Sequence, residues 1–355
     1  MLTTFFRTVV AITVFASPYF CTQTHAQTAG SLGAGMCNDN GKARKCDGSS
    51  LVNKAGLPLQ GMWNQREFDK IEEKFQSWCT STERFPDGQW KLIAFEYSFD
   101  LMFKTWKRWD GDLQRFADWK IKNPNSPAST LIEVIFWRTY AWNARGGGYA
   151  STVSKEGWEL FRERMEKAKA LLAKSNDQAK ACPLWHSLML DTLRDSGAKL
   201  AELEAIYKEA VTLFPAYHPI HFSMGSAISP RWGGSAEIFD KFAKDSVKIT
   251  KQTEGNSLYA RLYWTQDGPG QYTIQFPKGS KTPEWDLIKS GFEDLMQRYP
   301  ESTWNMNKFA SFACRANDKA TYLKLRQQLG TIIDSALWPS GYSVDVCDHR
   351  FSKAS

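Results

Sequence analysis

Histidine is scarce, with 5 in 355 residues, and no two cysteines stand in C-x2-C spacing. A cysteine–histidine metal cluster therefore has little to build on. Gly-x-Ser-x-Gly, a phosphate-binding loop and a dinucleotide-binding glycine fingerprint are all missing, which removes the commonest nucleophile and nucleotide sites from consideration. The body of the chain has no apolar run approaching the ~18 residues that suggest a membrane span. Charge is mild and mixed: Lys and Arg total 45 against 38 Asp and Glu. There is no basic stripe of the kind a nucleic-acid binder presents. At 42% hydrophobic and 23% charged the composition is that of a folded protein rather than a disordered one. What is abundant is tryptophan, 15 residues, within an aromatic content of 14%.

Residues 1–26 read as a signal peptide, with Arg7 as a short positive region, Val9 to Ala16 as the apolar stretch and Thr24-His25-Ala26 as a small-x-small cleavage signal. Tyr19 and Phe20 before Cys21 argue against a lipoprotein signal. The expected product is periplasmic or secreted after cleavage near Ala26. Six cysteines then remain: Cys37, Cys46, Cys79, Cys182, Cys314 and Cys347. An even number in an exported chain predicts three disulfides. Six cysteines allow about fifteen pairings, among which sequence does not choose; the Asn38-Asp39-Asn40-Gly41 turn favours Cys37 with Cys46, and Cys314 with Cys347 and Cys79 with Cys182 are a guess for the remainder.

Residues 27–60, rich in Gly, Asn, Ser and Lys, read as a loop-like lead-in. A helical body follows over 61–335 and a tail over 336–355. Phe68, Ile71, Phe75 and Trp78 fall at helical spacing, and so do Leu92, Phe95, Phe99, Phe103 and Trp106. Leu113, Phe116 and Trp119 predict a shorter helix ending before Asn123-Pro124. Leu131 to Trp142 is apolar nearly all round and predicts a central helix. Trp158 to Leu172 predicts a long amphipathic helix entered near Ser154. Segment 267–283 reads as a long loop, with strand-like alternation over Tyr272 to Phe276.

Two stretches repeat the same punctuation. Tyr207 and Phe292 each precede a proline by eight residues, in Phe214-Pro215 and Tyr299-Pro300. Nine residues past each proline a large apolar residue meets a small one, Met224-Gly225 and Phe309-Ala310. Small residues on paired helices let the pairs stack closely. The expected fold is all-α, a tetratricopeptide-like helical repeat or α-solenoid.

Two further runs carry a resemblance. Ser229-Pro230-Arg231-Trp232-Gly233-Gly234-Ser235, with Leu258 to Trp264 behind it, and Trp142-Asn143-Ala144-Arg145-Gly146-Gly147-Gly148-Tyr149-Ala150, followed by Trp158, resemble a family of exported bacterial proteins with a domain of unknown function. The likeness covers roughly residues 65–335. It implies a tetratricopeptide-like helical fold in the cell envelope, and no reaction.

The same runs supply the candidate binding residues. Arg231 and Trp232 combine an anion clamp with an aromatic platform, or else form a tight turn in which Ser235 caps the next helix. Arg145 and Trp142 adjoin three glycines that let a ligand approach backbone. Glu133, Trp137 and Arg138 lie in the apolar helix, where a charge needs a partner or a cavity. A Glu133–Arg138 pair fixing helix register is the simpler expectation, and a pocket floor the other. Glu96 and Asp100 share a helix face as an acid–base pair would, but Lys104 four residues on makes them a surface charge ladder. His218 and His221 lack a third ligand. The reading is a binding scaffold for a peptide, protein segment or glycan, with no cofactor, metal, catalytic residue or nucleic-acid partner. The alternative is an enzyme on an envelope polymer using Glu96, Asp100 or Glu133 in a tryptophan-lined cleft.

Overall fold

The computed structural model describes residues 36–39, 42–45, 47–267, 273–276 and 282–352. The signal-peptide segment, Cys21 and Cys46 lie outside them, and with Cys46 the expected Cys37–Cys46 bridge.

The described chain is all-α apart from one strand pair, β1 (Met36–Asp39) antiparallel to β2 (Lys42–Lys45). Sixteen helices follow among the described residues: α1 (Ser49–Asn64), α2 (Phe68–Cys79), α3 (Ile93–Trp106), α4 (Trp109–Lys122), α5 (Pro127–Arg145), α6 (Lys155–Ala173), α7 (Asp177–Lys180), α8 (Pro183–Asp195), α9 (Leu200–Leu213), α10 (His218–Ala227), α11 (Ala236–Glu254), α12 (Ser257–Thr265), α13 (Trp285–Arg298), α14 (Thr303–Arg315), α15 (Lys319–Leu329) and α16 (Val344–Ser352).

Part of the lead-in is therefore helix, which corrects the loop reading for 49–60. Gly56, Pro58 and Gly61 disguise a regular buried stripe of Val52, Gly56, Leu59 and Trp63. Gly56 is where α3 comes closest, since a Cβ there would stand 2.7 Å from that of Ser98. The C-terminal segment is likewise folded. Cys314 and Cys347 form a disulfide that ties α16 to α14, and Phe351 is buried. Cys79 and Cys182 form the second, joining the end of α2 to the start of α8. Of segment 267–283, the described residues between α12 and α13 form neither helix nor strand.

Helix starts follow the sequence closely. The Ser126 hydroxyl caps α5 with Pro127 in the first turn, and Ser154 caps α6. Helix α5 is buried on nearly every face and packs against α2, α3, α4, α6 and α8, the central position its apolar character requires. One apolar core runs from Leu59 to Ile228 around Trp63, whose ring meets Phe99, Phe103, Phe116 and Trp119 at 4.9–6.2 Å. A second spans Phe239 to Phe351, with Phe292 stacked on Phe309.

Consecutive helices pack on one another, as α5 on α6, α12 on α13 and α14 on α15. The aromatic–proline steps after α9 and α13 adopt the same backbone, with Phe214 at φ −133°, ψ 59° and Tyr299 at φ −129°, ψ 62°. The early chain is also stitched to the late helices. Asp47 accepts from the backbone N–H of Trp304 at 2.7 Å and from the Ser302 and Thr303 hydroxyls, capping α14 from outside its own sequence. The carbonyl of Asp87 accepts from Arg261 and Asn305, and Arg84 pairs with Glu254 at 2.7 Å. No described helix is long and apolar enough to cross a membrane.

Candidate functional site

The two sequence runs meet. Helix α5 ends at Arg145 and the chain leaves through Gly146, with φ 75°, into a short turn that leads to α6. On the other side, α10 runs out into a 3-10 turn over Pro230–Trp232. Gly233 follows at φ 91°, a conformation that glycine adopts without strain. Gly234 then folds back so tightly that a Cβ there would sit 1.7 Å from the carbonyl oxygen of Ile228. Only glycine fits, and the tight turn carries Trp232 across to α5.

There the Trp232 ring meets Trp142 edge to face, with centroids 6.4 Å apart. The guanidinium of Arg145 lies 5.1 Å above Trp142 and 5.0 Å from Trp158 of α6, while that of Arg194 lies 4.9 Å from Trp232. The result is a row of indoles and guanidiniums, Trp158, Arg145, Trp142 and Trp232, that runs inward to Arg194, with Arg231 next to Trp232 in the same turn. Trp232 is 38% exposed and Arg231 is exposed too, with Trp142 and Arg145 half-buried.

Beneath the row is a buried ionic cluster from α8. Asp195 accepts from Trp142 Nε1 at 3.0 Å, pairs with Arg138 at 3.1 Å and pairs with Arg194 at 2.7 Å, its side chain fully buried. Asp191 pairs with Arg194 at 2.8 Å and stands 3.6 Å from Arg138. Burial works against ionisation of Asp195, but the two guanidiniums and the indole N–H outweigh it and hold the acid below its ordinary value. Arg145 shows the opposite balance: burial first, then the like charge of Arg231, lower its proton affinity. Arg145 Nη1 donates to the carbonyls of Gly146 and Gly148 at 3.1 Å each, tying the glycine turn to the row. Among the described residues, no carboxylate lies within 4 Å of Arg145 or Arg231 in a salt bridge.

On the inner side, Glu96 and Asp100 of α3 approach the same cluster. Asp100 accepts from the Thr139 hydroxyl at 2.7 Å. Burial raises both acids. Glu96 reaches about 7, pushed first by desolvation and then by Asp191, with Arg138 pulling the other way. The expected surface ladder is thus corrected: these carboxyls are half-buried against α5 and α8, although Lys104 still acts on Asp100.

Glu133 does not join them. It pairs with Lys120 of α4 at 2.6 Å and accepts weakly from Trp137 Nε1. Its expected pairing with Arg138 fails because residues five apart point ~140° away from each other around a helix. So Arg138, Trp142, Arg145, Arg231 and Trp232 converge, and Glu133 stands apart. Ser235 is the N-cap of α11, its hydroxyl accepting from Ile238 N–H. His221 donates from Nε2 to the Pro215 carbonyl and so accepts at Nδ1 from Tyr207, both at 2.8 Å. His218 faces Glu254 and Arg84. Burial lowers His221 to about 4 and His218 to about 3, leaving both neutral.

The sequence reading missed Asp191, Arg194 and Asp195. Their signal was there: three charges in a helix otherwise buried along its whole length. Trp158 stands in the sequence as part of a helical stripe and behind the 142–150 run, without a binding role. Compared with known proteins, the chain matches no family model, no curated protein and no solved structure.

Proposed function

We propose that the protein is an exported binding scaffold that holds a peptide, protein segment or glycan in the bacterial envelope. The surface row of Trp142, Trp232, Arg145 and Arg231 is the contact site. The observation that carries this reading is the convergence of two separate glycine-rich runs, residues 142–150 and 229–235, on one exposed aromatic and cationic patch. Charged side chains at a mere packing seam find carboxylate partners. Here the inner arginines have them, and among the described residues the outer two form no salt bridge.

The scaffold itself reads as a tetratricopeptide-like solenoid. Support comes from the shared backbone of the two aromatic–proline steps and from packing between consecutive helices. Export is supported by the two disulfides and by the leader-like first 26 residues. The resemblance to the exported family rests on the same two runs. The test is Arg231→Ala. Binding to immobilised envelope peptides and oligosaccharides is expected to weaken, with the melting temperature unchanged. Intact binding with lost stability refutes the assignment and leaves a packing turn.

One observation favours a second reading. Glu96, poised near 7 beside Asp100, has the proton affinity of a general acid–base. Turnover of an envelope polymer that Glu96→Gln abolishes establishes it.

A further inference from the structure

The charges around the row are sorted by depth. On the inner side stand Asp191, Asp195, Glu96 and Asp100, with Arg138 and Arg194 between them. Toward the surface stand half-buried Arg145 and exposed Arg231; burial and then the like charge of Arg231 lower Arg145, Asp195 acts in the opposite sense, and neither arginine forms a salt bridge among the described residues. Arg145 commits Nη1 to the glycine carbonyls and is oriented by two indoles, so its remaining N–H edge is fixed in direction. Arg231 stands on the turn that Gly234 enforces. The free edge of Arg145 can meet a carboxylate in the bidentate fork, and the second cation beside Trp232, Arg231, adds to the attraction for an anion there.

The inner acids are already matched by Arg138 and Arg194. The outer cations suit one carboxylate, and the indoles beside them suit an apolar body. A ligand with a single terminal carboxylate and an apolar body supplies both. Its body can cover the exposed indole of Trp232 and the partly exposed Trp142. A neutral glycan is a poorer match, because the free donors here are guanidiniums rather than the amides and hydroxyls that read sugar hydroxyls.

Resting on the binding reading above, we infer that Arg145 and Arg231 clamp the C-terminal carboxylate of a peptide whose last side chain lies against Trp232 and Trp142. The probe is a pool of acetylated tripeptides, randomised over apolar residues, with free C-terminal carboxylates. The same pool amidated is its control, and oligogalacturonate is the polyanion arm. Binding to the full chain is followed by tryptophan fluorescence. The free-acid pool is expected to bind at least about tenfold more tightly than the amides, the scale of one charge-assisted contact. Arg231→Ala removes that preference while its melting temperature stays that of the wild type. Arg231→Lys restores it in part, since an ammonium keeps the positive charge without the planar guanidinium.

Equal binding of acid and amide, both lost in Trp232→Ala, overturns the carboxylate clamp and leaves the binding site standing. Tighter binding of oligogalacturonate overturns the peptide in favour of an acidic glycan. No binding by any of the three overturns both the clamp and the site.

Discussion

Glu96 gives the sharpest quantitative test of the site, because its environment makes a signed prediction about pH. It faces Asp100 on its own helix, Arg138 on α5 and Asp191 on α8, and burial with the nearby acids lifts it from 4.5 to about 7. The folded protein therefore keeps a proton that the unfolded chain has lost between those values. The unfolded state binds fewer protons in that window, so this group's contribution to stability falls as pH rises from 4.5 to 7. Fully expressed, the interval is worth about 3 kcal/mol, and partial solvent access reduces it to about 1–2 kcal/mol. The buried histidines act in the opposite sense: neutral in the fold, they add stability as pH rises from about 3 or 4 toward 6.5. Wild type and Glu96→Gln share those histidines, so the difference between the two proteins isolates Glu96. Urea denaturation of both at pH 5 and pH 8 measures it. Glu96→Gln is expected to gain about 1–2 kcal/mol on the wild type between the two conditions. A difference that stays constant across that range refutes the placement of Glu96 in an acid-crowded, desolvated pocket.

Asp195→Ala is expected to cost about 3 kcal/mol, since it leaves the buried Arg138 and Arg194 to share Asp191 alone and frees the Trp142 indole. Chemical denaturation reads the loss, and Asp195→Asn recovers part of it by keeping an acceptor for Trp142. At the turn, Gly234→Ala destabilises more than Gly233→Ala. The first forces a methyl into the Ile228 carbonyl, whereas the second adds only a left-handed backbone penalty of about 1–2 kcal/mol, with nothing within 4 Å of its Cβ. Equal melting temperatures for the two variants contradict the folded-back turn.

Helix type and order were largely legible, because apolar periodicity records burial directly. The stripes from Phe68, Leu92, Leu113 and Trp158 each became a helix, and Ser154 and Ser235 cap the helices they precede. What hid α1 was glycine. Gly56 occupies a core position with no side chain to show it, because α3 passes too near for one. The tail was hidden for a different reason. Most of α16 is exposed, and its attachment comes from a disulfide and from Asp348 bonding Tyr322 and Arg326, none of which has a period.

The site was half legible for a physical reason that Glu133 and Asp195 share. Each is a charge in an apolar helix, and the rule that such a charge must be satisfied holds for both. Glu133 is satisfied by Lys120 across a neighbouring helix, Asp195 by Arg138, Arg194 and Trp142. The rule names a debt of desolvation but not the helix that settles it, because periodicity locates a residue around its own axis and says nothing about the facing one. What singles out the row at Trp142 is the backbone: a turn at Gly234 that no side chain permits, which brings Trp232 to α5 and leaves Arg231 beside it without a salt bridge among the described residues. Packing alone explains the buried half of that arrangement. The exposed half, Trp232 and Arg231, is what the proposed ligand contact would account for.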